Sequence, residues 1–374
     1  MLKKLFLISV ILLLTHQTVY AISADSAILI DADSGRVLYE KNAYEKRGMA
    51  STTKIMTALV VLENAKLDDI VTVSYNASIT EGSSMYLKAN EKITVEGLLY
   101  GLMLNSGNDA ATALAEHTAG SIGKFAELMN KKAKEIGMKD SSFANPHGLD
   151  NENHYSTAYD MALLTKYAMG NETFKTIVGT KSKIIQTQGE EYKYLTNHNR
   201  LLSMYEYCSG VKTGFTKKCG RCLVSFSEKN GVKLITITLN APDDWNDHIT
   251  LYKEYFDLYK RYNIVNNNDY IASINVENSE EKNLKLYSCK AIYLTLTVEE
   301  YQNLKVEYEY KGTVSAPVYI GQIMGNINIK LNNEIIASSP IASMYGIAEK
   351  KSTTYKDNII FLFYNLISLF YKSI

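Results

Sequence analysis

The hydrophobic period of this chain changes near residue 180, and that change limits the fold more than any other feature. Upstream, apolar residues recur at helical spacing, as at Val95, Leu98, Leu99, Leu102 and Met103. Residues 110–115, 121–136 and 161–164 read as further helices, with Asn108 or Asp109 available to cap the first of them. Downstream, residues 207–212, 221–227 and 232–239 are β-rich and separated by turn residues, the pattern of consecutive antiparallel strands. A helix is predicted over 248–262. Near the N-terminus, residues 26–31 and 36–40 flank the turn Asp33-Ser34-Gly35 and predict a β-hairpin. Short strand-like runs lie at 70–73 and 85–87. A hairpin, then helices, then three strands and a helix is α+β: helices on one side of an antiparallel sheet.

The chain has 374 residues, so two domains are expected, the first over 22–262. Residues 264–269 (IVNNND) read as a linker. Alternating segments at 292–297, 306–310 and 326–331 predict a small β-sandwich over 263–346, followed by a spacer at 347–357. Residues 358–371 are nearly all apolar but short for a membrane span. Asn358, Asn365, Ser368 and Lys372 fall on one helical stripe, so an amphipathic helix over 358–374 is expected to lie in a membrane interface. Residues 1–21 carry Lys3-Lys4, an apolar run from Leu5 to Leu14, and a small-residue ending at Val19-Tyr20-Ala21. This is the pattern of a secretory signal peptide cleaved after Ala21. Cleaved or retained as an anchor, it sends the rest of the chain out of the cytoplasm, to the outer face of the cytoplasmic membrane.

Lys+Arg 40 balances Asp+Glu 40, and no basic stripe carries interleaved aromatics, so no nucleic-acid partner is expected. Cys208, Cys219, Cys222 and Cys289 are read as structural or free thiols, because Cys219-Gly220-Arg221-Cys222 lacks a thioredoxin-like setting. No metal site and no cofactor are expected.

Chemistry concentrates first at Ser51-Thr52-Thr53-Lys54, ahead of the apolar, helix-compatible residues 55–62. A Ser at the first turn of a helix with a Lys three residues on places hydroxyl and amine on one face. Ser51 can then attack a carbonyl and Lys54 can take its proton, while a backbone N–H holds the oxyanion. Two further stretches supply partners. Ser106-Gly107-Asn108 sits at a sharp turn between helices and can project a hydroxyl and an amide into a cleft. Lys212-Thr213-Gly214 ends a β-rich run, where a Lys can meet an anionic substrate and Gly permits close approach to the strand edge.

This ordered trio resembles the Ser-x-x-Lys, Ser-Asp-Asn and Lys-Thr-Gly signature of the penicillin-binding proteins and class A β-lactamases, and its middle motif, Ser-Gly-Asn rather than Ser-Asp-Asn, points to the carboxypeptidase branch. With residues 82–87 (GSSMYL), 104–110 (LNSGNDA), 145–149 (NPHGL) and 212–216 (KTGFT), nearly the whole chain is similar to the low-molecular-mass penicillin-binding proteins that are serine-type D-alanyl-D-alanine carboxypeptidases. The resemblance implies a β-lactamase/transpeptidase-like domain, a trailing β domain and a C-terminal membrane helix. It implies that Ser51 is acylated, Lys54 is the general base, and Ser106 relays a proton to the leaving amine. Asn108 is then expected to bond the peptide, and Lys212, Thr213 and Thr216 to face its carboxylate. The N–H groups of Ser51 and Phe215 would form the oxyanion hole, beside Gly214. The implied substrate is a peptidoglycan stem peptide ending in D-Ala-D-Ala, with β-lactams as covalent inhibitors.

No Glu-x-x-Leu-Asn stretch for activating a deacylating water is found. A β-lactamase, an endopeptidase on cross-linked stems, and a catalytically silent penicillin-recognising sensor or wall scaffold remain the alternatives. Arg221 is read as a strand-surface charge rather than a carboxylate ligand. His147, His198 and His248 are read as structural, Asp160 as a helix cap, and Asp243-Asp244 as a solvated loop.

Overall fold

The computed structural model describes residues 22–189 and 191–350. The expected signal segment (1–21) and amphipathic helix (358–374) lie outside the described residues.

A five-stranded antiparallel sheet runs Val37–Lys41, Ser26–Asp31, Val232–Leu239, Gly220–Lys229, Cys208–Thr216, the last being an edge. The N-terminal hairpin and the three late strands thus form one sheet, with Ser26 opposite Leu239. It is covered on both faces, not one. Ile28, Ile30, Val224 and Ile235 pack into the large helical core, while Ala27, Leu29, Leu223 and Leu234 pack against the helix Asp244–Leu258. Residues of opposite parity therefore serve two cores, which is why Ser26–Asp31 is buried throughout and apolar at consecutive positions.

On the first face, the helix Lys54–Asn64 follows a 3-10 turn over Ala50–Thr53. The helix Val95–Leu104 is buried at every position except Glu96, so its apolar character all round needs neighbours on every side. Thr94 caps it by accepting the Gly97 N–H at 3.0 Å. The next helix, Asn108–Ala119, begins with Gly107 as its cap rather than Asn108 or Asp109, which releases both side chains for other work. The stretch 85–87 is a loop, not a strand. The buried Asp109 carboxylate gathers it by accepting the Ser84 hydroxyl at 2.6 Å and the Met85 and Leu87 N–H groups.

The helix expected over 248–262 starts and ends earlier, at Asp244–Leu258. Lys260–Val265 is a strand paired with Ile292–Leu296, so the first two residues of the expected linker belong to a strand. β-Branched and aromatic side chains at Tyr262, Ile264 and Val265 suit that pairing. Beyond it, a six-stranded sheet runs Lys305–Tyr310, Ile323–Leu331, Glu334–Ser343, Asn283–Ser288, Tyr270–Glu277, Thr313–Ser315 around its own apolar core. Arg36 of the N-terminal hairpin donates to the Glu300 carboxylate at 2.7 Å, tying this β region to the first sheet.

Candidate active site

The 3-10 turn at Ala50–Thr53 is set from below. Gly148 has φ +89°, and a Cβ there would fall 1.9 Å from the Ala50 carbonyl oxygen, so the turn at 145–148 packs directly on the turn that carries Ser51. Thr53 donates to the Ala50 carbonyl at 2.7 Å. Its hydroxyl oxygen is 2.7 Å from His154 Nε2, while His154 Nδ1 accepts the Ala144 N–H at 3.0 Å. Those two bonds select the Nε2–H tautomer, and burial pulls the imidazole pKa down to about 4. His154 is thus a neutral brace for the Ser51 turn.

Lys54 is fully buried. Its Nζ lies 2.9 Å from Ser51 Oγ, 2.7 Å from Asn108 Oδ1 and 2.6 Å from the His147 carbonyl oxygen. Two of those neighbours can only accept. A neutral amine spends its two N–H bonds on them and turns its lone pair to the Ser51 hydroxyl, the arrangement a general base requires. Burial, followed by the nearby Lys212 ammonium, pushes the Lys54 pKa well below the usual lysine value, which favours that neutral form.

Asn108 is held at its other end by donating Nδ2 to the Glu81 carbonyl at 2.6 Å, and its backbone N–H donates to Ser83 O at 2.7 Å. The Nδ2 bond uses one of the two side-chain N–H groups. Ser106 has φ +58°, a left-handed conformation that brings its hydroxyl out at the turn between the two helices.

The edge strand Cys208–Thr216 supplies the third wall. Lys212 and Gly214 point to the helical side. A Cβ on Gly214 would lie 3.0 Å from the Ser51 nitrogen and 3.0 Å from the Met49 carbonyl oxygen, so only glycine lets this strand lie against the Ser51 backbone. Lys212 is 1% exposed and donates to the Thr213 carbonyl at 3.0 Å; burial lowers its pKa to about 7. Thr213 and Phe215 face the other way, and Phe215 pairs with Arg221 on the adjacent strand.

These elements enclose a cleft of about 370 Å³ lined by Ser51, Ser83, Ser106, Thr213, Gly214 and Phe215, and also by His198, Arg200, Arg221, Asp244 and Trp245. Lys54, Asn108 and Lys212 are buried and hold that surface from within. Thr216 does not line the cleft: its hydroxyl donates to Asp150 Oδ1 at 2.9 Å and accepts the Cys219 N–H at 3.0 Å. Asp244 is no solvated loop residue. It is 2% exposed and accepts Nε and Nη2 of Arg221 at 3.0 and 2.7 Å. His248 is buried in the helix between Ser225 and Thr238, a structural place. Thr157 caps the helix Ala158–Ala168, and the Asp160 carboxylate instead accepts from Asp140 N and Ser141 Oγ. Cys208, Cys219 and Cys222 are thiols. Among the described residues, no cluster of side chains could hold a metal ion.

The family description "D-alanyl-D-alanine carboxypeptidase" matches residues 14–243. The chain belongs to that family. It is a serine-type carboxypeptidase of the penicillin-binding kind. Residues 259–349 match the C-terminal domain of penicillin-binding protein 5. The D-alanyl-D-alanine carboxypeptidase DacF of Bacillus subtilis is 36% identical over 329 residues, covering 86% of this chain and 85% of that protein. DacA of Escherichia coli is 32% identical over 343 residues, covering 88% and 84%. Among solved structures, penicillin binding protein 5 from Haemophilus influenzae matches with TM-score 0.74 at 29% identity, covering 88% of this chain and 98% of that one.

Sequence reasoning missed His154, Arg200 and Trp245, and it read Arg221 as a surface charge and Asp244 as a solvated loop without joining them into the Arg221–Asp244–Trp245 group. His154 acts on Thr53 across 101 residues, and nothing local marks such a pair. Trp245, the only Trp in the chain, next to an acidic pair was the available signal for the last group.

Proposed function

We propose that Ser51 attacks the carbonyl of the penultimate D-alanine of a peptidoglycan stem peptide and passes its proton to Lys54. The single observation that supports this reading best is the 2.9 Å contact between Ser51 Oγ and a buried lysine whose other two neighbours are carbonyl oxygens. Backbone N–H groups of Ser51 and Phe215 stabilise the oxyanion. Ser106 delivers a proton to the departing D-alanine amine, and water then hydrolyses the ester to free Ser51. β-Lactams imitate the terminal dipeptide and leave Ser51 acylated, with slow release because no carboxylate motif for deacylation is present in the sequence. That chemistry favours the carboxypeptidase over a β-lactamase.

The decisive experiment incubates residues 22–350 with a peptide ending Lys-D-Ala-D-Ala. D-Alanine should be released, and Ser51→Ala should abolish both release and covalent labelling by a fluorescent penicillin. Equal labelling of Ser51→Ala would overturn the assignment of the nucleophile. Rapid turnover of penicillin would instead favour the β-lactamase.

Export and membrane attachment belong to the same proposal. They are supported by the apolar run in residues 1–21 and the polar stripe in 358–374. Among the described residues, no helix is long and apolar enough to cross a membrane. Fractionation of cells expressing the full chain, or a chain ending at residue 357, tests the attachment: only the full chain should sediment with membranes.

A further inference from the structure

Beside the cleft stands a two-stranded hairpin that the reaction as described does not use. Its strands, Ser182–Gln186 and Tyr192–Thr196, pair antiparallel, with Ser182 opposite Thr196, Ile184 opposite Tyr194 and Gln186 opposite Tyr192. Those side chains share one face, and the alternate residues Lys183, Ile185, Lys193 and Leu195 share the other. The inner face is spent on packing. Ile185 and Leu195 are buried, and a Cβ on Gly97 would lie 3.0 Å from Ile185, so the hairpin rests directly on the helix Val95–Leu104. Lys183 Nζ sits 4.9 Å from the centre of the Tyr100 ring, and Lys193 donates to the Tyr86 carbonyl at 3.0 Å. The outer face is open among the described residues. Tyr194 is 74% exposed, and Tyr192 and Ile184 are each 57% exposed.

The chemistry of that face narrows what can cover it. It carries no charge: the hydroxyls of Ser182 and Thr196 and the amide of Gln186 flank the tyrosine rings and Ile184. An anionic membrane surface or a nucleic acid calls for Lys or Arg, and the lysines of these strands belong to the opposite face. A specific protein partner takes on the order of 800 Å² per side from about 20 or more residues, more than one hairpin face offers. A tyrosine ring with an apolar body and a hydroxyl at its tip suits a neutral sugar polymer, which presents C–H faces to stack on and hydroxyls to bond. Position agrees with chemistry. The strand Tyr192–Thr196 continues to His198, which lines the cleft, so Tyr194 stands within about 14 Å of His198 along extended chain. The Thr196 N–H donates to Asn105 Oδ1 at 3.1 Å, immediately before Ser106. A stem peptide of a few extended residues spans a distance of the same order, about 15 Å.

We infer that this face holds the glycan strand that carries the stem peptide, stacking its sugar rings on Tyr192 and Tyr194 while the peptide enters the cleft. The inference rests on the proposed reaction and deepens it: the preferred substrate is a stem still attached to its polysaccharide, not a free peptide. Neither tyrosine lines the cleft, so both act on affinity and leave the chemistry at Ser51 unchanged.

The test measures D-alanine release by the full chain from two substrates: a free peptide ending Lys-D-Ala-D-Ala, and uncross-linked glycan strands bearing the same stem. Replacing both rings, Tyr192→Thr with Tyr194→Thr, should lower kcat/KM on the glycan-borne stem about tenfold, mainly through KM, because two aromatic anchors are lost. The same variant should stay within about twofold of wild type on the free peptide. Tyr192→Phe with Tyr194→Phe keeps the rings and should retain most of the preference. A soluble chitin oligosaccharide should raise KM for the glycan-borne stem and leave the free peptide alone. Thr suits a strand, and thermal unfolding checks the fold; should the Thr variant not fold, the oligosaccharide competition on wild type decides. Equal kcat/KM on both substrates with no effect of the oligosaccharide would overturn the inference and leave the Ser51 chemistry standing. So would equal losses on both substrates in the Thr variant, or unchanged kinetics with lost self-association in sedimentation velocity, which would give the face to a second copy of the chain. Failure of wild-type protein to release D-alanine from the free peptide would instead overturn the reaction itself, and this inference with it.

Discussion

Lys54 has no exposed surface, yet the proposed chemistry requires it to take a proton and give it back. Both properties come from the same burial: it lowers the pKa and fills the two N–H directions with carbonyl oxygens. The sign of the pH dependence follows. The neutral amine is the active form and its pKa is depressed, so acylation should be sustained at neutral pH and fall as pH drops through that depressed pKa. A pH profile of penicillin acylation measures this; an acidic limb only at the ordinary lysine value near 10.4 would contradict it. Gly214 gives a second residue-level expectation. Gly214→Ala must move the strand by a few tenths of an ångström away from the Ser51 nitrogen. Acylation should drop on the order of 10²-fold with a small change in melting temperature, because misplacement harms the reacting geometry more than the fold. Stopped-flow acylation beside a thermal melt separates the two effects.

Among the elements, the loop at 84–87 depends most on one side chain. Asp109 accepts three bonds from it while sitting in the helix that also carries Asn108. Asp109→Ala should leave two buried backbone donors without acceptors and cost on the order of 2–4 kcal/mol, read from the denaturant midpoint. It should also slow acylation, since Ser83 at the loop's start lines the cleft. Such couplings explain what the sequence does and does not disclose. Ser51 and Lys54 are legible because one helical turn brings them together whatever the rest of the fold does. The sheet is legible because strand alternation is local. Arg221 reads as a surface charge because strand periodicity says nothing about Asp244, 23 residues away, turning back to meet it. The covering of both sheet faces is hidden for a related reason: the helix Asp244–Leu258 has a polar composition, and only the packed structure shows its Leu251, Tyr252 and Phe256 against Leu29 and Leu234.

For the molecule as a whole, burial of neutral imidazoles sets the response to acid. His147 and His248 have pKa values lowered to about 3 and His154 to about 4, all chiefly by burial. In the unfolded chain each titrates near 6.5. The unfolded state therefore binds more protons between those values, and stability is full above about pH 6.5 and declines as pH falls through that window. Each group contributes up to about 1.4 kcal/mol per pH unit there. Denaturant midpoints at pH 7 and pH 5 measure the slope, and His248→Gln, which can still bond Ser225 and Thr238, should flatten it.

The hairpin strand Ser26–Asp31 does not sit at the rim of its sheet. It lies between Val37–Lys41 and Val232–Leu239. A strand made at the start of synthesis therefore waits for one made more than two hundred residues later, and Ser51 stays without its third wall until the Cys208–Thr216 strand exists. The helical lobe in between can gather early through contacts near in sequence, but the sheet closes last. Competence to react with penicillin is accordingly a late event in the life of the chain. Nascent chains halted before Leu239 should remain unlabelled, and those released beyond it should acquire label together with protection of Ser26–Asp31 from proteolysis.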